Sequence, residues 1–404
     1  MQGAWLFAVI YGCGARGMKI GVAAPVSLRM LAAHFPGELL PIGYEFAPMA
    51  TWIEQLISRG HQVVVFTHCQ GITDGQTFTS SNLTIHIARQ RANHRARDFY
   101  AHERGELQRF MLADRCDIIH AHWTYEFAMA ALDSGIPTLV TAHDAPLQVL
   151  RYSPDPYRFV RLLMAISVAC RAKHMTAVSN YLAEQYRHSL LYRSEVSVIP
   201  NAVPEEAFQF GQWRLEHPHD GPFTIACVLI GFKGRKNGPA AIEAFAKLRL
   251  RIPDARLLLF GGEYAPGAEA EHWACSRNLQ SGIEFCGRTQ YCDLLFRLSR
   301  EVDVLLHPSR EESFCMAAAE AMALGLPVIA GKNAGALPEL IQHEISGLLV
   351  DIHSSAEMAL ALERLERSPE LRAQIGYSAH ISARKCYSLT HVFDLYEQLY
   401  GQIC

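Results

Sequence analysis

His307-Pro-Ser-Arg-Glu-Glu-Ser-Phe-Cys-Met-Ala-Ala-Ala-Glu-Ala-Met-Ala-Leu-Gly-Leu-Pro-Val-Ile-Ala330 is the stretch whose reading decides the fold of this chain. Just upstream, Val302 to Leu306 is a short apolar run of strand-forming composition. Pro308 and Ser309 then open a loop, and the alanine-rich segment from Phe314 to Leu324 favours helix until Gly325 and Pro327 stop it. The pattern therefore predicts strand, loop, helix, strand. Glu312 falls in the loop, and Glu320 projects from the helix two turns in. Between them, the backbone N–H groups of Ser313, Phe314 and Cys315 are expected at a helix N-terminus, where aligned amide dipoles favour an anion such as phosphate. A phosphate site flanked by two carboxylates suits a sugar nucleotide, with one acid on sugar hydroxyls and the other on the ribose. The competing account, two solvated glutamates, holds for a bare Glu pair without these surroundings.

Outward from this stretch, β-rich apolar runs alternate with helical ones from Met18 onward, as in a doubly wound parallel sheet. Trp52 to Gly60 predicts a helix, and Gln62–Thr67 a strand directly after it. Asp117–Trp123, Thr138–Asp144 and Met175–Ser179 are further strands, each ending in a hydroxyl, imidazole or carboxylate at the edge where open α/β sheets bind ligands. A boundary is expected after Val196–Val203, and the Pro-, Gly-, His- and charge-rich segment Glu205–Pro222 is expected to be a linker. A second series follows in Phe223–Ile230, Arg256–Gly261, Ile283–Phe285 and the strand before Glu312. The expected architecture is α/β, with two Rossmann-like doubly wound domains, 18–205 and 206–384, facing across a cleft. Residues 1–17 are expected to be an extension that contributes little to the fold.

Composition excludes several classes. The chain has 404 residues, 50% of them hydrophobic, and a mean hydropathy of +0.04, which fits a globular protein of two or more domains. A net charge of -3 and a pI near 6.7 argue against nucleic acid as a partner. Eleven cysteines without a C-x-x-C pair suit reduced thiols and a cytoplasmic location. No apolar run approaches the roughly 20 residues of a membrane span, and the N-terminus lacks the basic region of a secretory leader. Two basic segments lie in the first half: Arg89 to Arg109, and Arg151, Arg158, Arg161, Arg171 and Lys173. Peripheral contact with anionic headgroups, worth about 1 kcal/mol per residue, and a solvated helix face are both open for them.

The order Pro-Ser, two residues, Glu, seven residues, Glu-Ala-Met-Ala, then Gly-x-Pro-Val resembles family 4 of the retaining glycosyltransferases. Arg59-Gly-His61, His120-Ala-His122, Thr141–Asp144, Val178-Ser179, Pro200-Asn201, Gly261-Gly262, Ala334–Glu339 and Ser346–Val350 extend the resemblance over nearly the whole chain after Met18. It implies the GT-B fold, with the acceptor on the N-terminal domain and the nucleotide sugar on the C-terminal one. It also implies a last helix, within 385–404, that crosses back onto the first domain.

The resemblance further implies site residues. Lys236, in the glycine-rich loop Gly231–Gly238, matches the lysine that meets the diphosphate. The arginine expected five residues earlier is Gly231 here, so either Lys233 or Arg235 takes its place. Glu312 is expected to hold the donor sugar and stabilise positive charge at its anomeric carbon, Glu320 to hold the ribose, and His143 to line the reaction centre. Ser313, Phe314, Cys315 and Thr289 are expected at the donor, and Gly43 and His122 on the acceptor side. His120 and His122 share one face of a strand without a third ligand, and no Asp-x-Asp occurs, so neither a metal nor a cofactor is expected. The expected activity is retaining, metal-independent transfer of a hexose-type sugar from a nucleotide-diphosphate sugar to a glycan or lipid-linked acceptor, in polysaccharide or glycolipid biosynthesis. A nucleotide-sugar epimerase of the same fold and a non-catalytic sugar-nucleotide-binding relative are the alternatives.

Overall fold

The computed structural model describes residues 17–44 and 46–404, so the expectation for the N-terminal extension lies, Gly17 apart, outside the described residues. Two sheets form the frame. The first has eight strands in the order β3-β4-β2-β1-β5-β6-β7-β8. These are β1 (Lys19–Ala23), β2 (Gln62–Cys69), β3 (Gln76–Thr79), β4 (Leu83–Arg89), β5 (Ile118–His122), β6 (Thr138–Ala142), β7 (His174–Ala177) and β8 (Val196–Val198). All neighbours are parallel except the edge strand β3, which runs antiparallel to β4. The central strands are buried nearly throughout, because helices cover both faces. The β3–β4 hairpin has no counterpart in the sequence reading: Gln76–Thr79 has three polar residues of four and is mostly exposed, so its pattern resembles loop, whereas the buried Leu83–Arg89 carries a strand pattern.

The second sheet has the order β11-β10-β9-β12-β13-β14, all parallel, from β9 (Thr224–Val228), β10 (Arg256–Phe260), β11 (Ile283–Gly287), β12 (Val304–His307), β13 (Val328–Gly331) and β14 (Gly347–Val350). Chain order reverses between β9 and β12 here, and between β1 and β5 in the first sheet. Loops leaving the carboxyl ends of such a strand pair diverge, which opens the crevice in which doubly wound sheets bind ligands. The loop after β9 carries Lys236, the loop after β12 carries Glu312, and β5 ends at His122.

Residues 205–222, expected as a linker, contain the helix Glu205–Glu216. Its buried positions Ala207, Phe208 and Gly211 fall at helical spacing, which the polar composition obscured. Gly211 is there for close approach: a Cβ would lie 2.1 Å from the Ala323 carbonyl oxygen. The two arginine-rich segments are also less exposed than their composition implied. Arg91 bonds Asp98 and Glu103, Arg171 bonds Asp133, and Arg161 lies 3.5 Å from the centroid of the Tyr125 ring. Among the described residues no helix is long and apolar enough to cross a membrane.

The helix Pro369–Tyr387 packs on the second domain, and after Ser388 the helix Leu389–Ile403 lies on the first. Val392, Phe393, Tyr396 and Tyr400 are buried in the first core; the Phe393 and Trp52 ring centroids are 4.1 Å apart. Tyr400 Oη and His120 Nδ1 are 2.6 Å apart, while Arg59 bonds both Asp394 and Glu397. Phe393→Ala should therefore destabilise the first domain by about 3–5 kcal/mol in urea denaturation, because the rigid Trp52 wall cannot collapse into the space. A loss below about 1 kcal/mol would show that this helix is merely laid on the surface.

Candidate active site

Glu312 is positioned from both sides. Its carbonyl accepts from Ala336 N–H at 2.8 Å, and Gly335 (φ 64°) passes so near that a Cβ would sit 2.3 Å from that oxygen. The Oε1 atom receives Lys236 Nζ at 2.5 Å and lies 2.9 Å from His307 Nε2. Burial of Glu312, 8% exposed, would raise its pKa, but the His307 hydrogen bond and the Lys236 charge overcome this and hold it well below the usual carboxylate range. His307 moves the opposite way: burial would lower it, and Cys315 and Glu312 beside it raise it instead. Cys315 Sγ is 3.3 Å from His307 Nε2. The helix begins at Met316, not at Phe314, because Cys315 adopts φ 90°, outside helical geometry. The Phe314 side chain packs edge-on against Tyr387, and Ser313 offers its carbonyl to Ser179 Oγ at 2.6 Å.

The loop after β9 is strapped to this one. Asn237 donates to the Pro308 and Ile352 carbonyls at 3.1 and 3.0 Å, and Arg310 N–H donates to the Arg235 carbonyl at 2.8 Å. Of the two candidates for the missing arginine, Arg235 faces the acids, with Nη1 2.9 Å from Glu311 Oε2. Lys233 faces outward, 63% exposed and paired with Glu269, so it is not brought to the cluster. Glu311 is 3% exposed, and its Oε1 has no hydrogen-bond partner. Burial and the neighbouring Glu312 charge raise its pKa against the pull of Arg235.

Glu320 extends from the helix Met316–Ala323 and accepts from Tyr291 Oη at 3.0 Å. The carboxyl is surrounded by protein although part of the side chain stays open, and burial raises its pKa to about 7. A cavity of about 370 Å3 opens at the ends of β9, β10 and β11, lined by Gly261, Gly262, Glu263, Arg288 and Thr289 among others.

On the first domain, His143 Nε2 lies 3.0 Å from His122 Nδ1, and Trp123 packs over His143 at 4.6 Å between centroids. Phe46, from the loop containing Gly43, meets Trp123 edge-on; Gly43 itself packs over Leu28. Burial lowers His143 to about 4 and takes His122 well below its ordinary value, so both imidazoles are neutral at pH 7. The two domains meet beside Glu312. In addition to the Ser179–Ser313 bond, Glu339 accepts from the N–H groups of Asn180 and Tyr181 at 2.8 and 2.5 Å, at the start of the helix Asn180–Ser189.

Residues 210–381 match the family model described as glycosyl transferases group 1, and residues 49–207 match glycosyltransferase family 4. The chain is 32% identical over 289 residues to a D-inositol 3-phosphate glycosyltransferase of Pseudarthrobacter chlorophenolicus, covering 67% of each chain. This protein belongs to glycosyltransferase family 4. It is also 24% identical over 301 residues to the N-acetyl-alpha-D-glucosaminyl L-malate synthase of Bacillus anthracis, covering 72% of this chain and 76% of that one. Anabaena HepE, solved in complex with UDP and glucose, superposes with a TM-score of 0.68 at 18% identity over 95% of this chain and 100% of that one. The GT-B architecture expected of the family is the one observed, and the protein is a glycosyltransferase.

Several residues of this glycosyltransferase site escaped the sequence reading. His307 stood in the quoted stretch without a role, although a histidine ending a strand at the switch point is a signal. Glu339 closed the matched stretch Ala334–Glu339 without a role, while Tyr291 and Glu311 left no signal of their own, since each acts through a contact that only the fold creates. Glu320 also couples stability to pH. Its folded pKa of about 7 stands above the ordinary 4.5, so the stability it contributes is complete below about pH 4.5 and is lost as pH rises through 7. Glu320→Gln should remove this loss, on the order of 2 kcal/mol, and flatten the fall in Tm between pH 5 and 7.5. An identical pH profile in the variant would place the Glu320 carboxyl in ordinary solvent.

Proposed function

We propose that this glycosyltransferase is retaining and metal-independent, and moves a hexose-type sugar from a nucleoside diphosphate to a hydroxyl of a glycan or lipid-linked acceptor. The observation that carries this is the Lys236–Glu312–His307 cluster at the β9/β12 switch point. A diphosphate entering there competes with Glu311 and Glu312 for Arg235 and Lys236, whose charges then meet the negative charge growing on the leaving group. Glu312, which stays ionised throughout the working pH range, faces the positive charge developing at the anomeric carbon. Glu320 and Tyr291 take the ribose, Thr289 lies at the base, and the N–H groups of residues 313–315 serve the phosphates.

On the acceptor side His143 is neutral and tied to His122, so it orients a hydroxyl better than it strips one. The bond from the anomeric carbon to the phosphate oxygen breaks as the bond to the acceptor oxygen forms on the same face. The acceptor proton passes to the departing phosphate oxygen. Retention follows from that shared face. The reading is supported by the names of the relatives, one a transferase and one a synthase of glucosaminyl malate, and by UDP and glucose in the Anabaena neighbour. The free thiols of the described cysteines suit a reducing cytoplasm.

Glu312→Gln and Lys236→Ala should each lower transfer by about 100- to 1,000-fold, read as nucleotide release with purified protein, while cooperative melting persists. NMR of the product should show the donor's anomeric configuration, and turnover should survive EDTA. Inversion, or full turnover in either variant, would refute the assignment.

A further inference from the structure

A soft thiolate, a borderline imidazole and a hard carboxylate converge where the reaction is placed. His307 Nε2, Glu312 Oε1 and Cys315 Sγ all lie within 4.8 Å of one another, and all three residues are buried. His307 closes β12, and Cys315 precedes the helix Met316–Ala323, so a strand end and a helix start fix the trio. At φ 90° Cys315 occupies backbone space that residues other than glycine rarely adopt, and this conformation accompanies a thiol held against the imidazole. A tetrahedral zinc ion with Zn–S of about 2.3 Å and Zn–N or Zn–O of about 2.0–2.2 Å separates its ligand atoms by roughly 3.4–3.6 Å. The Sγ–Nε2 separation is 3.3 Å, the Nε2–Oε1 separation 2.9 Å, and all three pairs lie within 4.8 Å, so a small adjustment of the side chains admits an ion. The His307 Nδ1 atom makes no hydrogen bond, so no second partner fixes the ring against that small movement.

We infer that His307, Glu312 and Cys315 form a three-ligand site for Zn2+ whose occupation shuts the donor cleft. Thiolate, imidazole and carboxylate together match zinc; Mg2+ and Mn2+ prefer all-oxygen sets. Binding requires the thiolate form of Cys315 and displaces the Lys236 ammonium, which occupies the same Glu312 oxygen. The ion then holds the carboxylate away from the donor, so zinc acts as a reversible brake. The site stands on its ligand geometry, and the brake rests on the function proposed above.

The test begins with metal-free protein titrated with Co2+, which reports the site without any turnover. Expected are visible d–d bands at one equivalent, a near-ultraviolet thiolate-to-cobalt band, and bleaching of both by Zn2+. Cys315→Ser should lose the thiolate band and weaken zinc binding by tenfold or more in calorimetry. Joint replacement of the exposed Cys170, Cys275 and Cys292 by Ser should preserve both. Should Cys315→Ser not fold, X-ray absorption of the wild-type protein with one zinc must show a single sulfur ligand. A shell of nitrogen and oxygen alone, or a thiolate band that survives in Cys315→Ser, overturns the site. Equimolar zinc should also abolish transfer, with recovery on chelation and no effect of Mg2+; full turnover with zinc bound overturns the brake. A chain without transferase activity would leave the cobalt result standing, so the two proposals fail separately.

Discussion

A buried carboxylate held between two potential cations organises the rest of this molecule. Desolvating a charge costs several kcal/mol, and the cost is met only when partners are close and well aligned. Glu312 meets that condition through Lys236 and His307, which come from opposite sides of the point at which the second sheet reverses direction. Only a strand order that sets β9 beside β12 brings these residues together, since 71 positions separate Lys236 from His307. The surrounding backbone has the same orientation: Asn237 and Arg310 tie the two loops to each other, and the Gly335 turn closes over the Glu312 main chain. Removing one member of such a cluster leaves the others charged and unmatched, which is why isosteric replacement is the informative perturbation.

The same cluster lies where the domains touch. Glu339 caps the helix Asn180–Ser189 from across the junction, adding a carboxylate where amide dipoles favour one. Ser179 spans to Ser313, one residue from Glu312. The chain itself crosses twice in one place, with Val203 N–H bonded to the Tyr387 carbonyl at 2.8 Å. Contacts across the domain junction therefore come within one residue of Glu312.

Much of this was legible in the sequence because the decisive signals are local. The strand, loop and helix around Glu312 follow from an apolar run, a Pro-Ser break and an alanine-rich segment; their boundaries moved by two residues because a positive φ at Cys315 cannot be read from residue type. Alternation of buried strands with helices gave two doubly wound sheets, while the polar edge strand Gln76–Thr79 and the helix Glu205–Glu216 were hidden by composition. Only the fold separates Lys233 from Arg235: neighbours two apart on a tight turn face opposite ways, one toward Glu269 on the surface and one toward Glu311 in the cleft. Arg161 shows the same limit, since an arginine among arginines looks like a surface charge until Tyr125 and Asp144 are found beneath it.

The first domain contributes a different electrostatic character. His120 is bonded to Tyr400 and Thr141, His122 to His143, and burial keeps all three imidazoles neutral. Facing a second domain whose cleft carries Lys236, Arg235, Glu311 and Glu312, this wall supplies hydrogen-bonding atoms without net charge. A charged imidazole on that wall would instead add a buried cation whose desolvation cost no carboxylate there, among the described residues, offsets. In the reaction proposed above, neutral histidines leave the acceptor proton to the departing phosphate oxygen.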